Sequence, residues 1–125
     1  MSLETPLHKA QGLGSAHSGV GHFWKQRVSA VALIPLSLWF AISALGLAGV
    51  PMAGVLNFLF NPVNAVLMAA FVLLSLYHMT LGLQEVILDY VPHSGLRFFL
   101  MLVNYGFALA LASASIFALL RIVGT

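Results

Sequence analysis

The sequence predicts an all-α membrane protein of three transmembrane helices, and two observations carry that fold class. Of its 125 residues, 61% are hydrophobic and 6% charged, and the mean hydropathy is +1.02. A soluble domain carries about a quarter charged residues. Five basic and three acidic side chains cannot cover a water-facing surface, so lipid is the solvent. The second observation is three apolar stretches, each longer than the roughly 20 residues that cross about 30 Å of hydrocarbon. The length suits one small bundle, divided into a polar arm over residues 1–27 and an anchor domain over 28–122. A net charge of +2 does not suggest a nucleic-acid partner. With no cysteine, disulfides, thiolate metal sites and cysteine nucleophiles are excluded within this sequence.

The elements follow in order. Residues 1–27 lack the apolar block and cleavage site of a signal peptide and the Arg-rich pattern of a transit peptide. Their segment "KAQGLGSAHSGVGH" reads as a flexible or extended arm at the membrane surface. The first span runs from about Val28 to Val50 and ends at Pro51; Pro35 inside it predicts a kink, tolerated where neighbouring helices cover the freed carbonyl. "PMAGVLNFLFNP" is an uncharged connection expected at the interface. The second span runs from about Val63 to Leu88 and the third from about Leu96 to Ile122, with Pro92 and Gly95 turning the chain between them. Lys9, Lys25 and Arg27 precede the first span and Arg97 joins them on the same side, against Arg121 alone on the other. That bias predicts a cytoplasmic N-terminus and a periplasmic C-terminus, with Asp89 and Tyr90 emerging on the cytoplasmic side.

The informative stretch is "LYHMTLGLQEVILDY", from Leu76 to Tyr90. At about 100° per residue, and with His78 taken as zero, Gly82, Glu85 and Asp89 fall near +40°, −20° and +20°. At about 1.5 Å per residue His78 lies some 16 Å from Asp89, close to mid-membrane. An ionisable group at that depth marks a functional position. One reading is a neutral histidine hydrogen-bonded to a neighbouring helix. The other is a haem ligand, since neutral imidazole binds iron well. Gly82, one turn on, admits either a flat macrocycle or close helix packing.

His8, His17, His22 and His93 all lie outside the expected spans, so a bis-histidine haem needs its second ligand from another chain. Met79 points about 100° away from His78, and methionine in an apolar helix usually packs. Glu85 reads as a snorkelling side chain or the partner of a cation, with a proton relay as the functional alternative. Tyr90, Phe23 and Trp24 suit an interfacial belt. Arg27 suits either positive-inside anchoring or a bidentate grip on a carboxylate.

The motif "H-x3-G-x6-DY" in the second span, "QRVSAVAL" opening the first, and three spans in this length closely resemble the D-type hydrophobic membrane anchor of succinate dehydrogenase. The segment "GLGSAHSGVGHFWKQRVSAVALIPLSLWF" brings it nearest to the alphaproteobacterial branch, and the similarity covers nearly the whole chain. The resemblance implies packing against a homologous C-type cytochrome b anchor subunit in the bacterial inner membrane. It implies one shared haem b and docking of the iron–sulfur and flavoprotein subunits on the cytoplasmic face. It makes His78 one axial ligand of the haem iron and sets Arg27 near the haem propionates. It gives Tyr90 a hydrogen bond to a ubiquinone carbonyl oxygen, with Asp89 beside it. Pro92, between Val91 and His93, departs from the family pattern, and the family's histidine before the arginine varies in spacing, so His22 is not assigned to it. The implied function is passage of electrons from succinate oxidation to ubiquinone, with succinate oxidation itself left to other subunits. The alternatives are a fumarate reductase anchor, a purely structural anchor without haem, and a small proton-conducting or transport module using His78, Glu85 and Asp89 as a relay.

Overall fold

The computed structural model describes Pro6 and residues 16–124. It contains α1 (Ala16–Leu47), α2 (Met52–Phe60), α3 (Pro62–Tyr90) and α4 (Ser94–Val123). Helices α1, α3 and α4 are long and apolar enough to cross a membrane. The three expected spans are therefore present, with different boundaries. Residues 16–27 of the expected arm are helical and continuous with the first span. The rest of that arm, Pro6 apart and with Lys9 in it, lies outside the described residues. Contact with α3 explains the extension: His22, Gln26 and Ser29 meet its C-terminal half, and packing of this kind stabilises helix more than intrinsic propensity does. Helix α1 continues through Pro35, which sits exposed on its surface.

The uncharged connection holds a nine-residue helix, α2, where sequence suggested only a link. The Pro51 carbonyl accepts from Gly54 N and Val55 N at 2.9 and 3.2 Å and so starts the helix. Gly49 ends α1 beforehand in the left-handed region, with φ 80°, which a residue with a Cβ rarely adopts. Asn61 then caps α3 through Oδ1, which accepts from Val63 N at 2.9 Å, and Pro62 occupies the first helical position, where no N–H is needed. Between α3 and α4 only Val91, Pro92 and His93 intervene. Proline cannot continue the α3 ladder. His93 Nδ1 accepts from Leu96 N at 3.1 Å to cap α4, and Arg97 Nε donates to Val91 O at 3.0 Å.

Helix α3 is the central element, packed by α1 on one side and α4 on the other, with α2 closing one end against both α3 and α4. Phe40 and Phe71 stack at 4.7 Å between α1 and α3, and Trp39 and Phe58 at 6.1 Å between α1 and α2. Among the described residues only Ser29, Thr80, Leu81, Asn104 and Ala108 are buried, and no large side chain is fully so. Four of these five are small or polar. In lipid the helices gain nothing by hiding leucine from hydrocarbon, so close approach and interhelical hydrogen bonds decide the contacts. Asn104 Nδ2 accordingly donates to Thr80 O at 3.0 Å, and Tyr105 Oη to Gln84 Oε1 at 3.0 Å, joining α4 to α3.

Candidate functional site

The stripe on α3 faces α1 as a seam of three rungs. His78 Nδ1 lies 2.9 Å from Ser29 Oγ. At Gly82 the direction of a Cβ is occupied by Gln26 Nε2, 3.6 Å from where that carbon would sit. Glu85 Oε1 lies 3.0 Å from His22 Nε2, a close polar contact without hydrogen-bond alignment. The seam arises because His22, Gln26 and Ser29 advance by four and three along α1, while Glu85, Gly82 and His78 step back by three and four along the antiparallel α3. Both series keep one helix face. Gln26 Oε1 is buried with no hydrogen-bond partner among the described residues.

At His78 both plain and functional readings meet. One ring nitrogen is engaged by a neighbouring helix, as an ordinary intramembrane histidine requires. The other, Nε2, has no partner among the described residues and is not sealed inside the chain. The described residues bring together no group of three His, Cys, Asp or Glu side chains. A lone imidazole with one free nitrogen suits a macrocycle that carries its own ring nitrogens and needs only an axial ligand. The donor set therefore fits haem.

Asp89 and Tyr90 are the last two residues of α3, both exposed, with Tyr90 at 79%. They stand at the same end of the bundle as His22, Lys25 and Arg97, because α3 runs antiparallel to α1 and α4. Arg27 is not brought to His78 within this chain. It lies about 200° around α1 from Ser29, its guanidinium 5.5 Å over the Phe23 ring. Trp24, Val28, Val31 and Ala32 complete an outward groove of about 470 Å³ beside it.

Sequence reasoning did not single out Ser29, Gln26 or a second groove of about 720 Å³ where α1, α3 and α4 meet, lined by His22, Lys25, Tyr77, Gln84 and Tyr105 among others. The signal for Ser29 and Gln26 was available: they share a helical face with His22 at a spacing that mirrors the stripe on α3. The groove had no such signal, since it draws on three separate segments.

Fold and site together define a small integral membrane protein with three long apolar helices and, among the described residues, a solitary donor at depth and no complete metal site. Residues 1–118 match the family described as "Succinate dehydrogenase/Fumarate reductase transmembrane subunit". The succinate dehydrogenase hydrophobic membrane anchor subunit of Paracoccus denitrificans is 35% identical over 121 residues, covering 97% of this chain and 93% of that protein. Its counterparts in Rickettsia bellii and Rickettsia conorii are 37% identical over 89 residues and 33% identical over 118. The first match covers 71% of both chains and the second 94% of both. No solved structure matches. The chain belongs to the family of succinate dehydrogenase hydrophobic membrane anchor subunits and is a multi-pass protein of the bacterial inner membrane.

Proposed function

We propose that this chain is the D-type anchor of a succinate dehydrogenase, supplying half of a haem b site and part of a ubiquinone site. Its partners are a C-type cytochrome b anchor subunit, an iron–sulfur subunit and a flavoprotein subunit. The observation that supports this reading is His78, whose Nδ1 is held by Ser29 while Nε2 has no partner among the described residues. Bound haem supplies a one-electron centre that stores or passes electrons beside the route to quinone. His78 would supply one ligand to it, and a histidine of the C-type partner would supply another. Gly82 keeps bulk off the same face one turn away. Arg27, on the outward face of α1, offers the two parallel N–H donors that grip a propionate at the subunit boundary.

At the cytoplasmic edge, Tyr90 donates its hydroxyl proton in a hydrogen bond to a ubiquinone carbonyl oxygen. That bond strengthens as negative charge builds on the oxygen, so it favours reduction more than it favours binding. Asp89, beside it, adds a polar wall to the pocket. The N-terminus lies in the cytoplasm, where Lys25, Arg27 and Arg97 cluster, and the C-terminus in the periplasm. The soluble subunits cover the exposed end that carries Asp89 and Tyr90. The fumarate reductase reading is weaker, because the relatives are named for succinate dehydrogenase.

A reduced-minus-oxidised spectrum of the purified complex tests the haem assignment. A b-type band is expected, lost in His78→Ala. No band in the parent complex overturns the assignment; quinone reduction would then indicate a haem-free anchor, and proton flux without soluble partners the transport reading.

A further inference from the structure

We propose that Ser29 is a positioning residue that sets the tautomer and orientation of His78. This rests on the reading of His78 as an axial ligand. Ser29 is 3% exposed, and its Oγ has two neighbours: the Gln26 carbonyl oxygen at 3.0 Å and His78 Nδ1 at 2.9 Å. A hydroxyl has one proton to donate. A carbonyl oxygen can only accept, so the Ser29 proton goes to Gln26 O. Were it turned to Nδ1 instead, two oxygen lone pairs would face each other at 3.0 Å. Oγ therefore presents a lone pair to His78, and Nδ1 must carry the imidazole proton.

The consequence falls on the other nitrogen. With the proton on Nδ1, the in-plane lone pair belongs to Nε2, the nitrogen without a partner among the described residues. Ser29 thus selects the ligating tautomer before iron arrives and stops the ring from rotating about its Cβ–Cγ bond. The hydroxyl is also a neutral acceptor. It draws on the Nδ1 proton more weakly than a carboxylate does, so the ligand stays a neutral imidazole. The Gln26 carbonyl, one turn earlier on the same helix, orients the hydroxyl that orients the ring. Partners of metal-bound histidine in this position typically contribute about 10- to 100-fold to retention of the metal centre.

The test uses the purified complex with Ser29→Ala, Ser29→Thr and His78→Ala. Two readouts are independent of turnover: the rate of haem transfer to excess apomyoglobin and the haem midpoint potential. Ser29→Ala is expected to transfer haem about ten-fold faster. Its potential should rise, because an imidazole without an acceptor at Nδ1 donates less electron density and favours ferrous iron. Ser29→Thr keeps the hydroxyl and should restore both. If His78→Ala loses the b-type band while Ser29→Ala matches the parent in both readouts, the ligand assignment stands and the role of Ser29 is overturned. If Ser29→Thr behaves as Ser29→Ala, bulk rather than the hydroxyl matters, and the role is likewise overturned. A His78→Ala complex that retains the parent band overturns the ligand assignment itself and this role with it.

Discussion

In the proposed reading, Tyr90 and Gly82 carry separable roles. Tyr90 is the last residue of α3 and 79% exposed, so its hydroxyl contributes nothing visible to the fold. Tyr90→Phe should therefore leave succinate oxidation by an artificial dye intact and lower quinone reduction. The expected loss is at least about ten-fold, from one hydrogen bond to a charged acceptor worth roughly 1.5–3 kcal/mol. Equal loss of both activities in steady-state assays would remove Tyr90 from the quinone site. Gly82 carries a different prediction. A Cβ there meets Gln26 Nε2 at 3.6 Å, an ordinary contact with the end of a flexible side chain. Gly82→Ala should accordingly leave the α1–α3 seam and the amount of assembled complex unchanged. Loss of the b-type band in a complex that still assembles would place the porphyrin against this position.

Among the elements, α3 is held on its two sides by different means. Its seam with α1 is built from polar rungs and one aromatic stack, Phe40 on Phe71. Its seam with α4 is built on Asn104, 5% exposed, whose Nδ2 donates to Thr80 O. Thr80 Oγ1 in turn donates to Tyr77 O at 2.7 Å, a local back-bond within α3. Interhelical hydrogen bonds in membranes average about 0.6 kcal/mol, so Asn104→Leu should lower stability only mildly. Asn104→Asp should do much more damage, about 2.5–3.5 kcal/mol, because an unpaired carboxylate would then sit against a carbonyl in the bilayer. Thermal unfolding of the detergent-solubilised complex orders the two; equal midpoints would show that Asn104 is not buried between helices. At the start of α3, Asn61→Ala removes the Oδ1 cap and should cost about 0.5–2 kcal/mol by the same measurement.

The whole molecule is a three-helix layer with a middle and two outer sides. Because α3 takes most of the packing, the outer faces of α1 and α4 remain apolar and exposed, Leu45 at 77% and Leu109 at 70% among them. In water such a surface would drive aggregation; in a bilayer it meets hydrocarbon or another subunit. In the proposed reading, a cofactor held by one histidine here and one in the partner chain would couple the two bundles. His78→Ala should then reduce co-purification of the C-type subunit as well as haem content. Loss of haem with unchanged co-purification would show that assembly rests on helix packing alone; unchanged amounts of both would overturn the ligand assignment.

The three spans and the polar face of α3 were legible in the sequence, because length, hydropathy and a 3.6-residue period are local properties of a segment. So were the Pro51 stop after the first span and the Pro92 break before α4. The early start of α1 and the helicity of the α2 segment were not, since both depend on what those residues pack against. The same holds for the stripe. Its residues could be placed on one face from spacing alone, but Ser29, 49 positions from His78, became its partner only through the antiparallel approach of α1. Periodicity determines which side chains share a face; the folded bundle decides which neighbour that face meets, because that contact is made by residues distant in the chain.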